Sequence, residues 1–322
     1  MTVAPAQFEP LAQDIARYQY RNNTLYRQYC DLVGRVPDRA GHLGDIAFLP
    51  IQFFKQTLVS SNAQTPEIVF ESSTTTGGTP SRHGLWDMDL YHRVARQGFA
   101  AVMGQNVEQL TWLALLPSYL ERPNASLVTM LKDFVRRGQP GSGFFLDDLE
   151  RLAEAVRACE EAGRPAVLLG VSFALLDFAT HHAMPLRHTM VIETGGMKGR
   201  REEMTREALH RQLCEAFGLQ VIGSEYGMTE LLSQAWSPAI GRFQCAPTLR
   251  VLTREVHDPL MLSAGTRGAI NCVDLANLDS CSFIATDDLG RVLDDGTFYM
   301  YGRLDGSEQR GCNLMVADEL SG

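Results

Sequence analysis

No run of about eighteen apolar residues, the length a membrane-spanning helix needs, occurs anywhere in this sequence. The opening stretch is broken by Glu9, Asp14 and Arg17, so it lacks the apolar centre of a secretory signal. Charge of one sign is never massed: the net charge of -9 is spread along the chain without a basic block or an acidic tail, which argues against nucleic acid and anionic membranes as partners. The seven cysteines, at 30, 159, 214, 245, 272, 281 and 312, form no close pairs, which excludes a zinc ribbon or a dense disulfide framework. Reduced thiols and a cytoplasmic location are the expectation. Internal repeats and low-complexity stretches are missing. So are two nucleotide signatures, since no Lys-Ser/Thr pair closes a Walker loop and no G-x-G-x-x-G follows a strand.

What is present is an ordinary globular composition, 45% hydrophobic and 21% charged over 322 residues, enough for one large domain or a large and a small one. Helix-like spacing of Ile15, Tyr18, Leu25, Tyr29 and Leu32 predicts a helical lead-in over 8–33. Beyond it, short apolar runs at 67–70, 111–116, 166–170, 189–192 and 219–222 alternate with helical stretches at 87–103, 124–137 (Asn124 as cap), 147–162, 173–182 and 201–217. Strands and helices alternating in this way predict an α/β fold with a parallel sheet covered on both faces. After about residue 240 the texture changes to β-like runs at 249–256, 268–273, 282–286 and 297–301, separated by turns such as Asp294-Asp295-Gly296.

The strongest local feature is Ser72-Ser73-Thr74-Thr75-Thr76-Gly77-Gly78-Thr79-Pro80-Ser81, directly after the first of those apolar runs. Backbone N–H groups and hydroxyls in such a loop can wrap phosphates; a plain surface loop is the other reading. Three later segments bear on the choice. Glu193-Thr194-Gly195-Gly196 and Gly223-Ser224-Glu225-Tyr226-Gly227-Met228-Thr229-Glu230 each follow a strand, and Thr286-Asp287-Asp288-Leu289-Gly290 precedes Gly302-Arg303-Leu304-Asp305.

In order and rough spacing, across residues 67–312, these segments resemble the motifs of the adenylate-forming superfamily of acyl-CoA ligases, luciferases and peptide synthetase adenylation domains. Glu193 to Arg200, Ser224 to Leu231 and Ser307 to Leu314 are most similar to its acyl-protein synthetase (LuxE-like) branch. The resemblance implies the large N-terminal-type domain of those enzymes, parallel sheets layered with helices plus a small β-rich subdomain. Residues 1–240 would form the adenylation core, and 241–322 would carry the ribose-binding motif and a cysteine-bearing tail. It implies activation of a carboxylic acid, a fatty acid in the branch named, by ATP with Mg²⁺, and an acyl reductase or acyl-carrier protein as partner.

Residue by residue, the resemblance places Ser73, Thr75, Thr76 and Gly77 around the leaving pyrophosphate, Gly195 and Gly196 beside the adenine, and Tyr226 stacked on it. Thr229 would bond the α-phosphate, Glu230 hold Mg²⁺, Asp288 bind the ribose hydroxyls, and Arg303 reach ribose or phosphate. The chemistry agrees, because a carboxylate attacking phosphorus brings anions together and needs a metal and donors to neutralise them. In the same branch a cysteine near the C-terminus accepts the acyl group as a thioester, and Cys312 beside Arg310 takes that place.

The departures are as specific as the matches. Ser81 stands where superfamily loops carry Lys, and Asp305 is followed by Gly306-Ser307-Glu308 rather than a Lys. The mobile C-terminal domain that brings a catalytic Lys in the superfamily is expected to be missing, since ten residues follow Cys312 here. Lys198, Arg200, Arg303 or a partner subunit is then the source of positive charge. Other readings stay open: a phenylacetate-type CoA ligase, a non-catalytic adenylate-fold subunit of a reductase complex, or a hydrolase using Ser172 in Gly170-Val171-Ser172-Phe173-Ala174 with His257. Trp86, Phe99, Trp112 and Leu115 are candidate walls of an acid pocket, and the other six cysteines are expected to be packing residues.

Overall fold

The computed structural model describes residues 3–73, 78–117, 124–195, 204–256, 258–263 and 265–304. The helical lead-in is two helices, α1 (Pro5–Asn22) and α2 (Thr24–Leu32), because Asn23 leaves helical geometry and its side chain accepts from the Tyr26 N–H, capping the second helix at 3.0 Å. A short strand β1 (Leu49–Pro50) and helix α3 (Phe53–Gln56) lead into a hairpin of β2 (Ile68–Glu71) and β3 (Arg82–Leu85).

The central layer alternates as its sequence predicts. Helix α4 (Met88–Met103), capped by Asp87 and stopped by a left-handed Gly104, precedes β4 (Thr111–Leu115), α5 (Ser126–Arg137), β5 (Gly143–Phe144) and α6 (Leu149–Glu161). Then come β6 (Ala166–Val171), α7 (Ser172–His181), β7 (Thr189–Thr194), α8 (Arg206–Phe217), β8 (Gly223–Tyr226), β9 (Ala235–Ser237) and β10 (Gln244–Cys245). These strands form one sheet in the order β10-β9-β8-β7-β6-β4-β5, parallel from β5 to β8 and antiparallel at β9 and β10. Every residue of β4 and β6 is buried, as expected of parallel strands covered on both faces.

Two local expectations are corrected. Helix α5 begins after Ala125, not Asn124, whose carbonyl instead accepts from the Glu71 N–H at 3.0 Å. The run 219–222 is not a strand: Leu219 N–H closes α8 onto Cys214, Val221 is exposed, and the strand starts at Gly223.

The remaining strands β11 (Leu249–Arg254), β12 (Arg267–Asp274), β13 (Phe283–Val292) and β14 (Phe298–Arg303) are mutually antiparallel, with β1 added in parallel beside β13. Their apolar face shares one core with the lead-in, where Tyr26 stacks on Phe283 at 6.0 Å and Phe8, Ala12, Ala16 and Phe54 are buried. The parallel sheet and its helices have a second core of their own. Among the described residues no helix is long and apolar enough to cross a membrane.

Candidate active site

Open parallel sheets bind ligands beyond the carboxyl ends of their strands. The segments singled out by sequence lie there: Gly195 directly follows β7, and Tyr226 ends β8 with Thr229 and Glu230 in the turn after it. Gly195 has φ +72°, and beyond its chain neighbours no atom of the described residues lies within 4 Å of where a Cβ would stand, so on that side the backbone is open to a close ligand. The hydroxyl-rich loop is pinned at its base, since the Ser72 N–H donates to the Ser81 carbonyl at 3.1 Å and the Ser81 N–H to the Ser72 hydroxyl at 2.9 Å. Ser73 is exposed at its mouth, while Thr75, Thr76, Gly77, Gly196, Lys198, Arg200, His257 and Cys312 lie outside the described residues.

Two clusters meet around the turn. Glu230 is 4% exposed; burial raises its carboxyl above the usual range, while the nearby Ser81 hydroxyl and the Arg303 charge work against that rise. Where the sequence resemblance leads one to expect a lysine, Ser81 places a neutral hydroxyl near that carboxyl. In the second cluster the Tyr226 hydroxyl donates to Asp288 at 2.8 Å, and Arg303, paired with Asp288 across β13 and β14, brings its Nε to 3.5 Å from the other carboxylate oxygen. Burial raises the Asp288 carboxyl, opposed by Arg303 and Tyr226. Glu230 feels the charges of both Asp288 and Arg303, so the clusters form one electrostatic unit. The Tyr226 ring packs edge-on against Phe298 and Phe243 at 5.7 and 6.0 Å. A lone carboxyl whose charge is disfavoured by burial gains most from a hard cation, so Glu230 fits Mg²⁺, which asks for one or two carboxylates and takes its other ligands from water and phosphate.

Several supporting groups carry no sequence signal by which to find them. The ring of His83, fully buried on β3, sets Nδ1 2.8 Å from the Thr229 carbonyl and Nε2 2.9 Å from Asn277 Oδ1. Asn277 donates to the Glu230 carbonyl at 2.8 Å and the Cys281 carbonyl at 2.9 Å. Burial pushes His83 down to about 4, opposed by the two oxygens it faces; both are acceptors, so the neutral ring, with one N–H, can donate to only one of them. Asp274 accepts from the N–H groups of Leu232 and Ser233 at 2.7 and 2.9 Å and from the Ser233 hydroxyl at 2.6 Å, fixing the far side of the turn. Gln52 donates to Asp287 at 2.6 Å.

Other sequence candidates are placed elsewhere. Phe99, Trp112 and Leu115 are fully buried, and Phe99 meets Trp112 and Trp236 edge-on at 5.0 and 5.1 Å; they are core and not pocket wall. Trp86 spends its indole N–H on the Gln64 carbonyl. Ser172 is 2% exposed and donates to Glu193 and the Gly195 carbonyl, both at 3.2 Å, whereas a nucleophile elbow needs an accessible hydroxyl. Cys30, Cys159, Cys272 and Cys281 are buried packing residues, with burial pushing the Cys30 and Cys281 thiols up to about 12. Among the described residues no cluster of His, Cys, Asp and Glu could hold a metal by itself.

No protein-family model matches the sequence, and no curated protein matches it. Solved structures match in shape. 2-Hydroxyisobutyryl-CoA ligase, in complex with 2-HIB-AMP and CoA in the thioesterification state, aligns with a TM-score of 0.63 at 16% identity, over 95% of this chain and 70% of that one. ATP-bound MatB from Rhodopseudomonas palustris aligns with a TM-score of 0.55 at 18% identity, over 73% of this chain and 47% of that one. The chain thus spans about half the length of the MatB structures it matches. The fold is that of the N-terminal domain of adenylate-forming enzymes.

Proposed function

We propose that this chain activates a carboxylic acid with ATP, forming an acyl-adenylate and releasing pyrophosphate, and passes the acyl group to a thiol. The observation that carries the reading is the convergence of Glu230, Ser81, Tyr226, Asp288 and Arg303 at the carboxyl end of the parallel sheet of a fold shared with acid–CoA ligases. A carboxylate oxygen of the acid attacks the α-phosphorus, a P–O bond to that oxygen forms, and the bond to the bridging oxygen breaks, with pyrophosphate taking the electron pair. Asp288 accepts the ribose hydroxyls, taking over the hydrogen bond that Tyr226 now gives it, and Tyr226 stands at the end of β8 where an adenine would stack. Arg303 lies beside Asp288 as the cation facing ribose or phosphate. Thr229 donates to the α-phosphate, and Glu230 together with the phosphates would hold Mg²⁺, which neutralises charge on the leaving group. The loop of Ser73, Thr75, Thr76 and Gly77 receives the pyrophosphate.

The acyl-protein synthetase likeness makes Cys312 the acceptor, the acid a fatty acid, and an acyl reductase or carrier protein the next station. The CoA held by the 2-hydroxyisobutyryl-CoA ligase of similar fold supports a second ending, transfer to CoA. The test is acid-dependent exchange of labelled pyrophosphate into ATP across fatty and aromatic carboxylates, then labelled-acyl retention by the wild type and by Cys312→Ser. Exchange with at least one acid is expected, with label kept by the wild type and lost in the variant. Thioester release that requires CoA and ignores Cys312 would select the second ending, and no exchange with any acid would defeat the proposal.

A further inference from the structure

We infer that His83 is a positioning residue for the Thr229-Glu230 turn, holding in register the groups that would meet the α-phosphate and Mg²⁺. The inference deepens the adenylation reading and rests on it. The chain at β3 addresses this turn twice. Ser81, just ahead of β3, and His83 on it are two residues apart in extended chain and therefore share a face. Ser81 lies close to the carboxyl of Glu230, and His83 faces the Thr229 carbonyl with one ring nitrogen and Asn277 Oδ1 with the other, donating to one of them when neutral. It meets the Thr229 carbonyl directly and the Glu230 carbonyl through Asn277, at the distances given above. Asn277 cannot turn away, because both hydrogens of its amide are committed to the Glu230 and Cys281 carbonyls.

Nothing about packing alone asks for an imidazole here. The site is fully buried and Phe54 lies edge-on at 5.9 Å, a setting an apolar side chain would fill without the desolvation that a ring with two polar atoms incurs. What an apolar side chain would not do is meet the two oxygens. The far side of the turn is tied to Asp274, so His83 and Asn277 supply the grip on the near side, where Thr229 and Glu230 stand.

The experiment compares His83→Leu, His83→Asn and His83→Gln with the wild type. Asn sets an amide where Nδ1 lies and can reach the Thr229 carbonyl; Gln reaches toward Asn277 and leaves that carbonyl alone. Four quantities are read: thermal midpoint, kcat and KM for ATP in pyrophosphate exchange, the Mg²⁺ concentration for half-maximal exchange, and the Mg²⁺ dependence of ATP binding without acid. A positioning role predicts that His83→Leu lowers kcat and raises the Mg²⁺ requirement by about 10- to 100-fold, as loss of a residue orienting a metal ligand does. His83→Asn should recover more of both than His83→Gln. Asn277→Leu should resemble His83→Leu, and the double variant should be scarcely worse than either single one, because both act on one turn. A lower midpoint with kcat and Mg²⁺ dependence unchanged in the folded protein would overturn the inference. If His83→Leu does not fold, the order of Asn and Gln decides. If the wild type exchanges with no acid, the adenylation reading fails separately, and Mg²⁺-dependent ATP binding still judges His83: a weaker dependence in the variants upholds it and an unchanged one overturns it.

Discussion

Glu225 is a buried carboxyl on β8 whose state depends on pH within the ordinary working range. Burial pushes it up to about 7 from the usual 4.5; the hydroxyl of Thr194, which donates to it from β7, works against the rise, and the neighbouring charge of Glu193 adds to it. Between those two values the folded chain keeps a proton that the unfolded chain has released. Stability therefore falls as pH rises through that window and the loss is complete above it, amounting to roughly 3 kcal/mol. Glu225→Gln removes the titration while keeping the shape, so its stability relative to the wild type should improve between pH 5 and pH 8 in denaturant unfolding. An equal difference at both pH values would contradict this. Neither Glu225 nor His83 is legible as a buried group in the sequence, because Ser-Glu-Tyr-Gly and Ser-Arg-His-Gly read as polar loop. Their burial is created by strands and helices distant in the chain. Glu230, Tyr226, Asp288 and Arg303 could be singled out because their order along the chain carries information that no one of them has alone, and the fold brings them together.

At the scale of elements, the plainest strand in the sequence is one whose residues are apolar on both faces. Ala166–Val171 is that strand, since a continuous apolar run between helices has no other use. The strand beside β7 was misread for the opposite reason. Leu219-Gln220-Val221-Ile222 looks like a strand, yet the ladder takes Gly223–Tyr226, where Ser224 meets His210 and Glu225 meets Thr194, so polar residues are buried and satisfied in pairs. Gly223 is held close: a Cβ there would stand 3.2 Å from the Ile192 side chain and from the Ser237 carbonyl, so a larger residue would ask both to give by a few tenths of an ångström. The turn after this strand depends on Asp274 at the end of β12. Asp274→Ala would leave three buried N–H groups, of Leu232, Ser233 and Ala276, and a hydroxyl without that acceptor, and a loss of roughly 3 kcal/mol or more is expected in unfolding measurements. A change under about 1 kcal/mol would show that other acceptors or water replace it.

Across the whole molecule, the lead-in reads in the sequence as a polar and aromatic helical stretch packed on the main body ahead of every motif, and the structure makes it part of the foundation of the site. Gln19, fully buried in α1, donates to the carbonyls of Asn277 and Leu278, both at 2.9 Å, and accepts from the Ser282 N–H at 3.0 Å. Asn23 donates to the Ser280 carbonyl at 3.1 Å. These bonds shape the 277–282 segment, and Asn277 at its head holds the Glu230 carbonyl, so a path of direct contacts runs from α1 to the candidate metal ligand. The contacts span more than 250 positions in sequence, which is why no local pattern announces them. Gln19→Leu roughly keeps the volume and removes four hydrogen bonds, those above and one to the Ser282 hydroxyl, while stranding the backbone partners. It should lower the thermal midpoint and also raise the Mg²⁺ requirement for pyrophosphate exchange, because the displaced 277–282 segment carries Asn277 with it. Deleting residues 1–33 removes Tyr26, Phe8 and their neighbours from the core under β11–β13 and should leave a chain that is aggregated or unfolded in circular dichroism and gel filtration. A deleted chain that stays monomeric, melts as the full chain does and exchanges pyrophosphate at the same Mg²⁺ concentration would show that the lead-in is an appendage, and that the 277–282 segment keeps its shape unaided.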